Sequence, residues 1–331
     1  MVTADATGHD TLQRRKRLQP ISTGKRVTPQ ERDLLWFAKL REHGPLPSSF
    51  LLDYGRQLCR NDKRARERLT DLFNEDNTHD GGRYLSRPPQ QFRTIDSRYN
   101  QLVYDLTPAA ERALRRTDLW TERSMRAGPW LHGFMVSCIT ASVELATLAR
   151  TDLRYIPQSQ ILERAKAELR FPAVIESAPG RTLAKDLIPD AVFGLEYLTD
   201  RGSRFRFFVV EADRATEPST SRNFNRKSFE RSLMQYEHYI GRGKYREHLK
   251  LTAPLLVLHV CSDAARTIRM IARTARHGSA GNAHMLFQSW EDFGPAFRPP
   301  SSRSGLLDHP WQRAALPPFR IDQVDAGQQA D

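Results

Sequence analysis

The chain has 331 residues, enough for two domains, and its 39% hydrophobic and 27% charged residues are the balance of a globular protein. No apolar run reaches the length of a membrane span, and Cys59, Cys138 and Cys261 are too scattered for a disulfide framework or a zinc site. These features predict a cytoplasmic protein with no membrane partner. The net charge of +12 predicts a polyanionic partner, and nucleic acid is favoured.

Arginine makes up most of the positive charge, since only 9 of the 51 basic residues are lysine. An arginine excess fits bidentate contacts to phosphates and base edges. A compositional bias of the genome would give the same excess, so the count alone does not decide between the two.

The N-terminal third has the element order of a DNA-binding module. Residues 1–24 are polar, contain the basic run at 14–17, and are predicted to be a disordered tail. Two helices follow before Gly55, then a basic helix capped at Asn61–Asp62, and then two strands that end at Leu106. Three helices and a two-stranded wing over residues 25–116 are the order of a winged helix-turn-helix, whose third helix enters the major groove.

The predicted partner of this module is double-stranded DNA. Basic residues on the third helix and in the wing are the candidate DNA contacts: Lys63, Arg64, Arg66, Arg68, Arg83 and Arg87. A three-helix protein-interaction module with a solvated charged face would show the same pattern and remains the alternative.

A charged connector, residues 117–128, leads to a predicted second domain at 129–292. An apolar helix is expected at 130–150, and Glu144 on it is a surface residue or a further carboxylate of a site. Helix, hairpin, helix, strand and helix then describe a small α/β domain with a mixed sheet. Proline and polar residues dominate 293–331, which predicts a loosely packed C-terminal tail.

The hairpin at 187–218 carries the strongest functional signal. Its second strand, Phe205–Ala212, is apolar on both faces, as a buried central strand should be. Folding at residues 200–201 places Asp190 opposite Glu211, and Asp213 shares a face with Glu211. Three buried carboxylates at one end of a hairpin predict a site for a hard cation, Mg²⁺ or Mn²⁺. An edge hairpin whose acids face water is the alternative.

Pro189–Asp190 and Glu211–Ala212–Asp213 at the end of a buried strand resemble the PD-(D/E)xK nuclease superfamily. With the winged helix, the pattern PDA…F…VEADRATE…Y is similar to the plasmid replication-relaxation family over residues 25–275. The resemblance implies a restriction-endonuclease-like mixed-sheet domain in which the strand acids Asp190 and Glu211 hold Mg²⁺. Glu144, from the helix at 130–150, is the further candidate ligand.

The same resemblance implies a lysine two residues after the glutamate, where it positions the attacking water. Asp213 stands at that position in this chain. A lysine can move to the following helix, so Lys227 is the candidate for the missing cation and Arg231 is its rival.

Two functions are compatible with these residues. The first is a Mg²⁺-dependent deoxyribonuclease, an endonuclease guided to its site by the winged helix, with Asp190, Glu211, Asp213, Lys227 and Arg231 as catalytic residues. The second is a non-catalytic DNA-binding protein of plasmid replication or relaxation with a degenerate nuclease fold. The enzyme is favoured, because a carboxylate cluster beside a basic surface has little use without a metal. A homodimer is allowed by the sequence but not required.

Overall fold

The computed structural model describes residues 17–76, 78–93, 100–122, 128–178, 181–215, 218, 226–277, 283–294 and 297–324, without the side chains of 176–178, 181 and 183. Its internal contacts divide the chain into two compact units. The first comprises Met1–Thr121 and Ala296–Ser301, and the second comprises Glu122–Pro295 and Ser302–Asp331. Both units combine helices with strands, so the predicted mixed α/β class is confirmed.

The described part of the first unit contains four α-helices and one small sheet. The helices are α1 (Glu31–His43), α2 (Ser48–Tyr54), α3 (Asp62–Asn74) and α4 (Pro108–Leu114), and a 3-10 turn covers Pro89–Phe92. Strands β1 (Leu46–Pro47), β2 (Leu85–Ser86) and β3 (Val103–Leu106) pair antiparallel in the order β1-β3-β2.

Helix α3 forms where the sequence places a basic amphipathic helix. Its buried residues recur every three or four positions, the spacing that lines one helical face: Ala65, Leu69, Leu72 and Phe73. The Asn61 side chain accepts a hydrogen bond from the Arg64 amide at 3.1 Å, which satisfies one of the first free amides. The N-terminal half of α3 therefore turns its basic side chains to solvent.

Two segments expected to be irregular are packed where they are described. Residues 17–24 of the predicted tail lie against the first unit, where the Thr23 hydroxyl donates to Glu75 at 2.7 Å; residues 1–16 lie outside the described residues. In the predicted connector, the Trp120 ring lies 3.9 Å from the Arg41 guanidinium carbon. Residues 117–121 thus belong to the first unit, and 123–127 lie outside the described residues.

The second unit is built around one seven-stranded sheet in the order β12-β11-β10-β9-β8-β7-β4. Its strands are β4 (Leu153–Ile156), β7 (Ala191–Thr199), β8 (Gly202–Asp213), β9 (Leu255–Cys261), β10 (Met285–Ser289), β11 (Trp311–Arg313) and β12 (Leu316–Phe319). The β8–β9 and β9–β10 pairs are parallel and the others are antiparallel. A separate hairpin joins β5 (Phe171–Ala178) and β6 (Arg181–Leu187).

The described helices of the second unit are α5 (Trp130–Leu148), α6 (Gln158–Ala165), α7 (Phe229–Tyr236), α8 (Lys244–His248), α9 (Ala264–His277) and α10 (Gly305–Asp308). A π-helical turn, Glu237–Gly241, extends α7, and a 3-10 turn covers Glu291–Phe293. Helix α7 lies in the crossover between the parallel strands β8 and β9, a connection too long for a hairpin turn.

The β7–β8 hairpin has the predicted register. Thr199 pairs with Gly202 around the turn at 200–201, and Ala191 pairs with Val210 at the other end. Gly202 has φ +106°, a conformation that glycine adopts at little cost. This register brings Asp190 and Glu211 to the same end of the hairpin, and the Asp190 amide donates to the Val210 carbonyl at 3.1 Å.

The C-terminal segment is not a loosely packed tail. Within it, α10, β11 and β12 close one side of the large sheet, and Leu306 and Trp311 are fully buried. The Trp311 indole donates to the Leu306 carbonyl at 3.0 Å. Burial of these apolar side chains outweighs the proline-rich composition on which the sequence prediction relied.

Helix α5 has the length and mean hydropathy of a membrane span, 19 residues at 1.4. However, 67% of that window is buried inside the unit. The described part of the chain therefore has one weak candidate span, and its burial is that of a core helix in a soluble protein.

Candidate functional site

Asp190 and His132 meet at the end of the sheet where β7 begins. His132, in the first turn of α5, places Nε2 2.9 Å from Asp190 Oδ1. The other oxygen, Asp190 Oδ2, accepts the Ala212 amide at 2.8 Å. Burial alone would raise the pKa of Asp190, but the His132 hydrogen bond, the Lys227 charge and the Ala212 amide outweigh it and lower the pKa. Asp190 is therefore held as a carboxylate.

Glu211 lies on β8 beside this pair and has two neighbours of its own. The Tyr236 hydroxyl, on α7, donates to Glu211 Oε1, and Lys227 Nζ lies 3.8 Å from Oε2. Burial, followed by the charge of Glu211, raises the pKa of Tyr236 well above its usual value, so the phenol stays a proton donor. The Glu211 side chain is only 10% exposed, whereas Lys227 is 39% exposed. Lys227 thus places a positive charge beside Glu211 while remaining open to solvent.

His259 completes the site from the neighbouring strand, because the register of β8 and β9 pairs it with Glu211. Its ring stacks on Phe287 at 5.1 Å and meets the edge of Phe229 at 5.4 Å. Burial, followed by the charge of Lys227, lowers the pKa of His259 to about 3. A neutral imidazole therefore lines a small cavity together with Glu211 and Lys227.

Asp213 does not join Asp190 and Glu211 as a third free carboxylate. The Arg266 guanidinium, on α9, binds Asp213 Oδ2 through Nη2 at 2.9 Å and Nε at 3.2 Å. Asp213 Oδ1 accepts the Ala215 amide at 2.6 Å. Asp213 shares a strand face with Glu211, as the alternation predicted, but its negative charge is matched by an arginine.

Glu144 does not reach the site either. It is buried rather than on the surface, 12 residues beyond His132 on the same helix. At 1.5 Å per residue this is about 18 Å along the axis, too far for one ion to bind both Glu144 and Asp190. Arg231, the rival of Lys227, is buried on α7, where its amide donates to the Ser228 hydroxyl at 3.3 Å. Lys227 is the residue that the structure places beside Glu211.

The donor set limits which metal the site could hold. Among the described residues no group of three or more His, Cys, Asp or Glu side chains is arranged to hold a metal ion. This argues against a structural zinc site enclosed by the protein. Mg²⁺ is commonly bound by one or two carboxylates together with waters and substrate phosphates. Asp190 and Glu211 fit that pattern, and Asp213 and Glu144 do not take part in it.

The basic residues of the first unit divide into exposed and structural groups. Lys63 and Arg64 are exposed on the first turn of α3, and the exposed Arg66 lies 3.9 Å from Asp62. Arg83 is held by the Asn74 carbonyl and Asp76, both at 3.3 Å.

Two predicted DNA contacts are internal instead. Arg68 binds the buried Asp33 carboxylate at 2.6 Å and the Thr28 carbonyl at 2.6 Å. Arg87 is buried, donates to Tyr104 at 3.1 Å, and lies 3.8 Å from the Phe73 ring. Sequence position could not reveal these partners, and both arginines are engaged within the first unit, so Lys63, Arg64 and Arg66 are the better candidates for DNA contacts.

The comparison with family models matches residues 37–255 to the replication-relaxation model. The matched stretch contains the hairpin, Asp190, Glu211 and Lys227. The chain belongs to the replication-relaxation family. No curated protein and no solved structure gives a significant match.

Membership of the replication-relaxation family suggests a role in plasmid replication or relaxation. Three residues of the site, His132, Tyr236 and His259, were not predicted from the sequence. The two histidines carry no motif, and each of the three residues reaches the site from a different element. A usable signal existed only for Tyr236, a polar aromatic residue on the apolar stripe of α7, since a buried tyrosine hydroxyl needs a partner.

Proposed function

We propose that this protein binds double-stranded DNA through a winged-helix first unit and hydrolyses DNA phosphodiesters with Mg²⁺ at a PD-(D/E)xK-like site in the second. The observation that carries the proposal is the position of Lys227, whose Nζ lies 3.8 Å from Glu211 at the end of the hairpin that also carries Asp190. A cation beside two carboxylates is the arrangement that phosphodiester hydrolysis requires.

The residues of the site have two roles: some would hold the metal ion, and Lys227 would stabilise charge. Asp190 and Glu211 would hold Mg²⁺, which when bound lowers the pKa of a water molecule and neutralises phosphate charge. His132 and the Ala212 amide fix Asp190, and the Tyr236 hydroxyl fixes Glu211. Lys227 is partly exposed, so its ammonium can stabilise negative charge that develops on the phosphate.

DNA binding by the first unit is proposed on the exposed start of α3. Lys63, Arg64 and Arg66 face solvent, and Arg68 on the same helix does not. An exposed basic third helix in a helical unit with a small sheet fits major-groove docking.

Changing Lys63, Arg64 and Arg66 to glutamine together should weaken duplex binding by at least tenfold at physiological salt. Each lost phosphate contact should reduce the slope of log affinity against log salt by about 0.9. Fluorescence anisotropy of a labelled duplex over a salt series measures both quantities. Exchanging Arg154, Arg201 and Arg204 of the second unit for glutamine removes the same charge and is the matched control. Equal losses in the two triple variants would contradict a specific role for α3.

Nicking of supercoiled plasmid by the purified full chain tests the hydrolase directly. Conversion to open-circular or linear DNA is expected with Mg²⁺ and should stop with EDTA. The Asp190→Asn variant should bind the plasmid without cutting it, because one ligand charge and the partner of His132 are lost together. Cutting by Asp190→Asn at the wild-type rate would exclude this site as its source.

The alternative is a DNA-binding protein of plasmid replication or relaxation that has lost turnover. It is favoured by one observation: Asp213, at the position of the superfamily's lysine, is paired with Arg266. On this hypothesis the plasmid stays intact under all metal conditions while binding remains sensitive to salt.

A further inference from the structure

Arg214 directly follows β8, at the Asp190–Glu211 end of the sheet. Its guanidinium is partly buried, and its Nε is buried without a hydrogen-bond partner. Burial lowers the pKa of Arg214, and no acidic group opposes the shift. Partial desolvation of a cation without a partner among the described residues costs free energy, and a bound anion would offset that cost.

Arg32 and Arg87 also have a buried, unbonded Nε, but each is compensated in another way. Arg32 lies 3.9 Å from Asp33 and 4.8 Å from the Trp36 ring. Arg87 donates to the Arg17 carbonyl at 2.8 Å and to Tyr104. Among the described residues no carboxylate, carbonyl or aromatic ring does the same for Arg214, which makes it unlike these two.

The backbone at Arg214 is fixed rather than loose. Asp213 binds Arg266 through one oxygen and the Ala215 amide through the other, and the Asp213 carbonyl accepts the Ser262 amide at 2.8 Å. Ala215 has φ +58°, a left-handed conformation that is unfavourable for a residue with a Cβ. The contacts of Asp213 thus hold an unfavourable backbone conformation beside Arg214, a feature that is common in functional segments.

The place of Arg214 identifies the class of ligand. It stands three residues after Glu211, about 10 Å along an extended strand, at the edge where Asp190 and Lys227 lie. A planar guanidinium that keeps its charge matches the paired oxygens of a phosphate. We propose that Arg214 binds a backbone phosphate of the nucleic acid at the Asp190–Glu211 edge and holds that strand against the site.

This assignment rests on the proposed DNA partner, but its test does not require cleavage. The full-length Arg214→Met and Arg214→Lys variants are compared with wild type by anisotropy of a labelled 20-base-pair duplex in EDTA over a salt series. Arg214→Met should lose about tenfold in affinity and reduce the salt slope by about 0.9. Arg214→Lys should keep the wild-type salt slope but only part of the affinity. The lysine keeps the positive charge but cannot donate two parallel hydrogen bonds to one phosphate.

Thermal unfolding separates ligand binding from a structural role. The melting temperature of Arg214→Met should equal or exceed that of wild type, since the substitution removes a desolvated cation with no internal partner. Arg201→Met, in the turn at the far end of β8, is the matched control and should leave affinity and slope unchanged. A lower melting temperature for Arg214→Met, or an unchanged affinity and slope, would overturn the proposal.

Inorganic phosphate serves as a second probe when DNA is absent. Phosphate should raise the melting temperature of wild type and Arg201→Met in a concentration-dependent way, and raise that of Arg214→Met less. Suppose that Arg214→Met loses the phosphate-induced rise in melting temperature and that wild type does not nick plasmid. This result would refute the nuclease and support phosphate binding by Arg214. Suppose instead that wild type nicks plasmid and that all variants show the same phosphate-induced melting shift and the same duplex affinity. This result would support the nuclease and refute phosphate binding by Arg214.

Discussion

Replacing Lys227 by methionine should reduce Mg²⁺-dependent plasmid cleavage on the order of 100-fold while leaving duplex affinity in EDTA within about twofold of wild type. A rate loss of this size is expected when a largely buried site loses one cation that stabilises the negative charge developing on the phosphate. The Lys227 ammonium lies 3.8 Å from Glu211 and is 39% exposed, so it contributes little to packing and, on the proposed function, can reach a phosphate. Single-turnover nicking rates at saturating protein measure the effect.

The control for this experiment is Lys244→Met, which removes a partly exposed lysine from the start of α8. It should cut plasmid at the wild-type rate. The melting temperature of Lys227→Met should change little, because an ion pair with one partly exposed member contributes little to stability. Wild-type cleavage by Lys227→Met would remove Lys227 from the mechanism and reopen the case for Arg231.

The pairing of Asp190 with Glu211 could be predicted because it depends on local information. An apolar strand, a short polar turn and the two-residue alternation fix the register to within one residue. The structure has that register, with Ala191 opposite Val210. Helices α5 and α7 were also visible, since each carries apolar residues at helical spacing.

Contacts between distant segments could not be predicted in the same way. The partner of Asp213 is Arg266, 53 residues further along the chain, and the partner of Asp190 is His132, 58 residues before it. Which face of a helix meets a strand depends on the packing of the whole core. The two-residue alternation of side chains along a strand does not contain that information. The same limit hid the internal roles of Arg68 and Arg87, because exposed and buried arginines look alike in a sequence.

Hydrophobic pattern also failed where strands are short or polar. The β5–β6 hairpin, the edge strand β4, and β11 with its edge neighbour β12 were missed, and the last two lie in a segment whose prolines suggested a tail. Proline is compatible with an edge strand, where the missing amide faces away from the sheet. β12 contains Pro317 and Pro318 and is such an edge strand. Composition alone therefore misassigned a part of the chain that closes the core.

Replacing Arg266 by methionine should lower the free energy of unfolding by about 3–5 kcal/mol, because it leaves the Asp213 carboxylate buried without a compensating charge. The two side chains are 6% and 10% exposed, and their closest atoms are 2.9 Å apart. Urea unfolding of the full chain followed by circular dichroism measures the loss. Combining Arg266→Met with Asp213→Asn removes both charges, so the double variant should regain more than half of it.

An exposed pair provides the scale for this prediction. Arg56 and Asp53 also lie 2.9 Å apart, but their side chains are 55% and 33% exposed. Arg56→Met should therefore cost less than about 1 kcal/mol, since water already solvates both charges. If Arg266→Met lowers the free energy of unfolding no more than Arg56→Met does, Arg266 does not compensate a buried charge on Asp213. The carboxylate would then be free to act as a third ligand beside Asp190 and Glu211, and the fixed position of Arg214 would need another cause.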